Sequence, residues 1–348
     1  MRPLRLSWRL AEGADIASLR ASITADLRQA GLAALHSLGQ HFMIDAAALT
    51  CLADTLGAQP GMRVVEIGPG TGVLTTVLLE RGCQVLAVEL DRGMVGLLEG
   101  KFGQTAVAES RGRGVAGSTS LQTSSSELGP AHTDDDLGSM TGSVTDPATP
   151  RPRDPATAVP AFSLIHGDCL AAKTRLHPAI EDFAAAGPWT LGANLPYDVS
   201  IPVILNAAAL PRPPAVVAVT VQLEAARRLC SRPGEAAWGA SAAVLQASGI
   251  PRLVRRLPPG CFMPPPRVDS AILAWTPTST LPAGFGAWCR KVFSFRRKVL
   301  PGALRDAGLT RMDAEAACQA CGLDLTRRLQ DLDAPELLAL FALLPPTA

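Results

Sequence analysis

The stretch VVEIGPGTG, residues 64–72, decides how the chain is read. A short apolar run, Arg63–Ile67, feeds into glycines at alternate positions, Gly68, Gly70 and Gly72, and helix-forming sequence continues to Glu80. Glycines at a strand-to-helix turn let the backbone approach a ligand closely and leave amide groups free to bind it. The spacing is GxGxG, not the GxGxxG of the dinucleotide fingerprint, so the loop alone also fits a plain tight turn.

Outward from this loop the same rhythm repeats. Gln84–Glu89 reads as the next strand, with helical sequence after it to Phe102. Residues 162–166, 190–193 and 215–222 are strand-like, and most are followed by helical sequence. This is the βαβ alternation of an open, mostly parallel sheet. Residues 252–257 and 271–276 flank a proline-rich link and predict a late antiparallel pair. From 277 onward only helical patterns remain. The expected fold class is α/β: a Rossmann-like sheet over residues 35–276, then a small C-terminal helical domain over 277–348.

Two stretches stand outside that rhythm. In residues 103–160, 36 of 58 positions are Ser, Thr, Gly, Ala or Pro, and none is aromatic. Such a segment buries too little surface to offset its chain entropy, so a disordered insertion is expected there. Residues 1–34 form an N-terminal extension, helical in pattern over 15–32. Its arginines suggest a transit peptide, but Glu12, Asp15 and Asp26 argue against one.

Composition narrows the function classes. The 348 residues carry a net charge of +1 and are 47% hydrophobic, which excludes a wholly disordered or strongly basic chain. No apolar run reaches the ~18 residues of a membrane span. The eight cysteines are scattered and read as reduced thiols of a cytoplasmic protein. Cys318 and Cys321 form a CxxC with no second pair nearby, so no metal site is expected.

Two acids strengthen the nucleotide reading of the glycine loop. Glu89 ends the second strand, where a carboxylate can accept both ribose hydroxyls. Asp168, in HGDCL after the third strand, can accept from an adenine amino group. No arginine-rich phosphate cradle and no Walker lysine accompany them, which favours a nucleoside without a phosphate chain, and S-adenosylmethionine fits that description. Glu66 either reaches the amino group of that ligand or caps the loop.

The fourth strand ends in Asn194-Leu195-Pro196-Tyr197, the last being the only tyrosine in the chain. These residue types suit methylation of an exocyclic amine, whose lone pair is delocalised into the ring. The amide oxygen of Asn194 and a backbone carbonyl near Leu195–Pro196 can accept the two N–H groups and favour a pyramidal nitrogen. Tyr197 can stack on a base pulled out of its helix. The transfer needs alignment more than a strong base.

With these pieces in place the chain resembles a known family. LGQHFMID (38–45), EIGPGTGVLT (66–75), VELD (88–91), GD (167–168), NLPYDVSIPVI (194–204), FMPPPRVDSAIL (262–273) and FSFRRKVL (293–300) occur in the order seen in the small-subunit ribosomal RNA adenine dimethyltransferases of the KsgA type. The resemblance spans about residues 36–340 apart from the insertion, and the PPPRVDS and RRK segments are its most specific parts. It implies a class I methyltransferase sheet that transfers methyl groups from S-adenosylmethionine to N6 of two adjacent adenosines near the 3′ end of small-subunit rRNA. Residue by residue, it implies cofactor contacts at His41, Met43, Gly68, Glu89, Asp168 and Asn194, with Gly70 in the same loop. Gln40 is expected to order an N-terminal lid over the cofactor. The helical domain is expected to face RNA through Arg296, Arg297 and Lys298, within a basic cluster that also holds Arg290, Lys291, Arg305 and Arg311 and that by composition alone reads equally as a solvated helix face. A monomer acting on a pre-ribosomal particle is the expected state.

Several positions depart from the family pattern. Asp198 stands where Asn usually follows the tyrosine, Ala240 where an arginine is usual, and Pro301-Gly302 where a polar pair follows RRK. Drift of this kind leaves open an assembly factor without catalysis. A large-subunit rRNA adenine methylase is a second alternative, which the FMPPPRVDS segment disfavours. A nicotinamide oxidoreductase is a third, which the GxGxG spacing and NLPY disfavour.

Overall fold

Parallel strands covered by helices on both faces must be apolar on both sides, and the strand beneath the glycine loop is buried from Val64 through Ile67. In the computed structural model, which describes residues 16–32, 40–103 and 161–343, this strand lies inside a seven-stranded mixed sheet. The insertion expected over 103–160 lies outside the described residues apart from Gly103, as do 1–15, 33 and 34 of the expected extension.

The first half of the chain runs α1 (Ile16–Gln29), β1 (Phe42–Met43), α2 (Ala46–Leu56), β2 (Arg63–Ile67), α3 (Val73–Glu80), β3 (Gln84–Glu89), α4 (Arg92–Phe102), β4 (Phe162–His166) and the hairpin β5 (Leu170–Ala172) and β6 (Arg175–Leu176). It continues with α5 (Pro178–Ala185), β7 (Thr190–Asn194), α6 (Tyr197–Ala208), β8 (Val217–Gln222), α7 (Leu223–Leu229), α8 (Ala240–Ser248), β9 (Gly249–Leu257), β10 (Phe262–Met263) and β11 (Ser270–Pro277). Four helices close it: α9 (Phe285–Phe293), α10 (Leu300–Asp306), α11 (Arg311–Ala320) and α12 (Ala334–Ala342).

The sheet order is β4-β3-β2-β7-β8-β11-β9. The first five strands are parallel, and β11 pairs antiparallel with both β8 and β9. From β2 the chain winds outward to β3 and β4, then returns to the other side of β2 for β7 and β8. That reversal makes the carboxyl ends of β2 and β7 a topological switch point, where open α/β sheets leave a ligand crevice. The pairing enforces it: β2 and β7 are in register only at Val64↔Thr190 and Val65↔Leu191, while β7 and β8 stay paired to Asn194↔Thr220.

Side chains alternate between the two faces, as strand geometry requires. Val64, Val85, Ala87 and Leu164 pack with α1 to α4, whereas Val65, Leu86, Val88 and Ile165 pack with α5 to α7. Residues 16–29, read from sequence as part of an extension, are a helix whose Leu19, Ile23 and Leu27 sit in the first of these cores. A third core joins α9 to α12 with Trp238 and with Ala242, Ala243, Val244 and Ala247 of α8. The helical cluster thus draws on residues well upstream of 277.

Candidate active site

Gly68, Gly70 and Gly72 have φ of 65°, 56° and 77°. This is the left-handed region that L side chains avoid, which is the reason for glycine at each. Space adds a second reason at two of them. A Cβ on Gly70 would lie 2.9 Å from Cε1 of Phe42, and one on Gly72 would lie 2.6 Å from Cε2 of Phe102. At Gly68 the nearest atom, Cδ of Pro196, is 3.5 Å away. The loop is therefore pinned at its far end and open where it faces the NLPY corner. Lys101 fastens it further, its Nζ donating to the carbonyl of Thr71 at 3.0 Å while pairing with Asp26 of α1.

The acids converge on this loop. Glu89 accepts from Gly70 N–H at 3.0 Å through Oε2 and from Asp91 N–H at 2.9 Å through Oε1, so its carboxylate is fixed with a lone pair left on each oxygen. Burial raises its pKa above the usual carboxylate range, and those two backbone donors oppose the shift. Glu66 is buried under the loop and accepts from the Thr75 hydroxyl at 2.7 Å. Burial, with a further push from Glu89, raises its pKa to about 8. Glu66 thus braces α3 through Thr75 and also lines the cavity. Asp168 is exposed on the cavity wall, with Oδ1 accepting from Leu170 N–H at 2.8 Å.

The reacting corner faces this cradle. Asn194 ends β7, buried Leu195 and half-buried Pro196 follow, and Tyr197 opens α6. The Asn194 Nδ2 donates to the carbonyl of His41 at 2.7 Å, and its Oδ1 accepts from the Thr220 hydroxyl. The Tyr197 hydroxyl is 2.7 Å from Oγ of buried Ser270, and its ring stacks on His41 with centroids 5.6 Å apart and planes at 29°. Burial raises the Tyr197 pKa, so the phenol keeps its proton. Asp198, the first departure from the family pattern, is exposed at the rim.

The segment carrying His41 and Met43 is held by β10. Phe42 and Met43 pair with Met263 and Phe262, and Nδ1 of His41 lies 2.8 Å from the carbonyl of Pro264. That carbonyl can only accept, so Nδ1 is the donor in this contact. Gln40 donates to Asp91 at 2.8 Å, tying this segment to the end of β3. One cavity is lined by His41, Met43, Gly68, Gly70, Glu89, Asp168, Asn194, Leu195, Pro196 and Tyr197 together. Among the described residues its lining holds four acids, with Glu66 and Asp198 added, and no lysine or arginine. A cationic nucleoside without phosphates suits such walls, and S-adenosylmethionine, with its sulfonium and ammonium, has that chemistry.

The basic triplet is distributed differently from the expectation. Arg296 is not presented to solvent as a free charge: its guanidinium donates to the carbonyls of Trp238 at 2.6 Å and Ala236 at 3.4 Å, because a planar fork suits two carbonyls. It lies against Gly239, directly before the unusual Ala240. Lys298 is paired with Asp306, which Arg305 also holds. Arg297 is exposed and has no ionic partner among the described residues. Phe293 is buried in the third core and half-buried Phe295 packs against it.

Sequence reading missed Thr220, Ser270 and Pro264. A signal existed for Thr220, the one polar side chain inside the apolar run VAVTV, on the strand beside that of Asn194. Ser270 and Pro264 lie in the PPPRVDS and FMP pieces, quoted above without a role.

The family model for ribosomal RNA adenine dimethylase matches residues 32–108 and 156–344. The ribosomal RNA small subunit methyltransferase A of Thermosynechococcus vestitus is 30% identical over 312 residues, covering 87% of this chain and 93% of that relative. A dimethyladenosine transferase of Plasmodium falciparum shares the fold with a TM-score of 0.58 at 16% identity, covering 87% of this chain and 96% of its own. The 23S rRNA methyltransferase ErmE does so with a TM-score of 0.53 at 18% identity, covering 87% and 98%.

Proposed function

The chain belongs to the ribosomal RNA adenine dimethylase family, and from that premise we propose its reaction in full: methyl groups pass from S-adenosylmethionine to N6 of two adjacent adenosines near the 3′ end of small-subunit rRNA. The observation that carries the reading is the meeting of two parts in one cavity, a cradle lined by four acids and, among the described residues, by no Lys or Arg, and the Asn194–Tyr197 corner. The large-subunit alternative draws no support from sequence, since the relative matched at 30% identity is a small-subunit enzyme by name. The fold shared with ErmE does not separate the two.

When bound, S-adenosylmethionine supplies a methyl group activated on sulfonium. Glu89, fixed by Gly70 and Asp91, would accept from the ribose, and Asp168 from the adenine amino group. Gly68 and Gly70 leave room for close backbone approach. Glu66 would meet the ligand's cationic end. At the reacting corner the Asn194 amide oxygen would accept an N–H of the target amine, keeping the nitrogen lone pair available. Tyr197, held by Ser270, would stack on the extruded base. None of these steps requires a strong base, and alignment carries much of the rate.

The substrate in this reading is a pre-ribosomal small-subunit particle, the enzyme acts as a monomer, and the site of action is the cytoplasm. Residues 277–348 would face RNA, with Arg297 as the phosphate contact of the basic triplet. The test is methyl transfer from labelled S-adenosylmethionine to unmethylated small subunits, mapped by mass spectrometry. Dimethyladenosine at two adjacent 3′-end positions, lost in Asn194→Ala, is the expected result. Binding of cofactor and subunit without transfer would point to an assembly factor instead.

A further inference from the structure

Thr220 sits at 0% exposure in the middle of β8, directly opposite Asn194 in the parallel register. Every other residue from Val217 to Val221 is apolar. A buried hydroxyl in such a strand must find a partner, and among the described residues it donates to Oδ1 of Asn194.

The direction of that bond follows from the other end of the amide. The carbonyl of His41 can only accept, so the group 2.7 Å from it must be Nδ2. Oδ1 then faces Thr220, and the hydroxyl must be the donor. The torsion that orients an Asn carboxamide is broad and roughly two-fold, so nothing intrinsic prevents inversion. Inversion would set an N–H donor where an acceptor is needed for the N–H of an amine. His41 and Thr220 thus decide together which end of the amide is available, and an oxygen lone pair remains after Thr220 has donated.

We propose that Thr220 is a positioning residue for methyl transfer: its hydroxyl fixes the Asn194 carboxamide with the acceptor oxygen in its working orientation. The inference rests on Asn194 acting at the reacting end, as in the function proposed above. It adds a residue outside every motif quoted from sequence.

The test compares wild type, Thr220→Val and Thr220→Ser in steady-state and single-turnover methylation of small subunits. Valine keeps the shape and strand preference of threonine and removes only the hydroxyl; serine keeps the hydroxyl. Loss of one hydrogen bond of this kind is expected to lower kcat roughly tenfold in Thr220→Val. KM for both substrates, cofactor affinity and melting temperature should stay near wild type, and Thr220→Ser should recover most of the rate. A purely structural role would instead move the melting temperature and KM. If Thr220→Val turns over within twofold of wild type, or if Thr220→Ser is as slow as Thr220→Val, the proposal is overturned while the enzyme reading stands. If wild type itself transfers no methyl group, the reading of the site fails and takes the proposal with it.

Discussion

The glycine loop makes unequal demands at its positions, and alanine substitution should expose the difference. Gly68 and Gly72 share a left-handed backbone, with φ of 65° and 77°, so an alanine at either pays a conformational cost of roughly 1–2 kcal/mol. At Gly68 the new Cβ comes no nearer than 3.5 Å to any described residue beyond its chain neighbours, and the cost stops there. At Gly72 the Cβ would lie 2.6 Å from Phe102 and 2.9 Å from Leu98, which is buried in the core under α4. Relief requires moving the last turns of α4, and overpacking of this kind costs about 1–3 kcal/mol more. Gly72→Ala should therefore lose about 2–5 kcal/mol in urea unfolding, and Gly68→Ala only about 1–2 kcal/mol. Cofactor titration should rank them the other way per unit of stability lost, because Gly68 faces the cavity. Equal destabilisation of the two variants would refute the reasoning, since it would mean that Phe102 swings aside at no cost.

Glu66 gives a pH signature. Its folded pKa is raised, so its contribution to stability is full below the unfolded value near 4.5 and is lost as pH rises toward about 8. Urea midpoints of the wild type should fall across that window, and Glu66→Gln should flatten the slope. Arg296 and Arg297 should separate cleanly. Arg296→Ala leaves the carbonyls of Trp238 and Ala236 unpaired and should lower stability by about 1–3 kcal/mol in thermal melts. Arg297→Ala should leave the melt unchanged and reduce the salt dependence of RNA binding by about one counterion. Finally, Ser270→Ala and Tyr197→Phe remove the two ends of one hydrogen bond. Their effects on single-turnover rate should be strongly non-additive, and simple additivity would mean that Ser270 does not act through the tyrosine.

What was legible from the chain, and what was not, divides along the range of the interactions. The strands at Arg63–Ile67, Gln84–Glu89 and Phe162–His166 were read directly, because buried parallel strands are short apolar runs with glycine or acidic ends. The helix after the glycine loop and the late antiparallel pair were read for similar local reasons. The two-residue strands β1 and β10 were not, since their pairing joins Phe42 to Met263 and no local period marks it. The carbonyl contacts of Arg296 were not legible, because charge alone does not say whether a guanidinium meets solvent or a carbonyl. At the site, motif residues could be named from sequence, but the groups that orient them, Thr220 and Ser270, act across strands.

The holding of His41 carries a consequence for how the molecule comes into being. Its contacts reach 153 positions forward to Asn194 and 223 positions forward to Pro264. Contacts so distant along the chain pay their loop-closure entropy before they return any stability, and they form late in folding. A nascent chain that has emerged only as far as β9 already carries the glycine loop, Glu89, Asp168 and Asn194, yet lacks the strand that clasps His41 and the serine that anchors Tyr197. Chemical competence is thus among the last properties the polypeptide acquires.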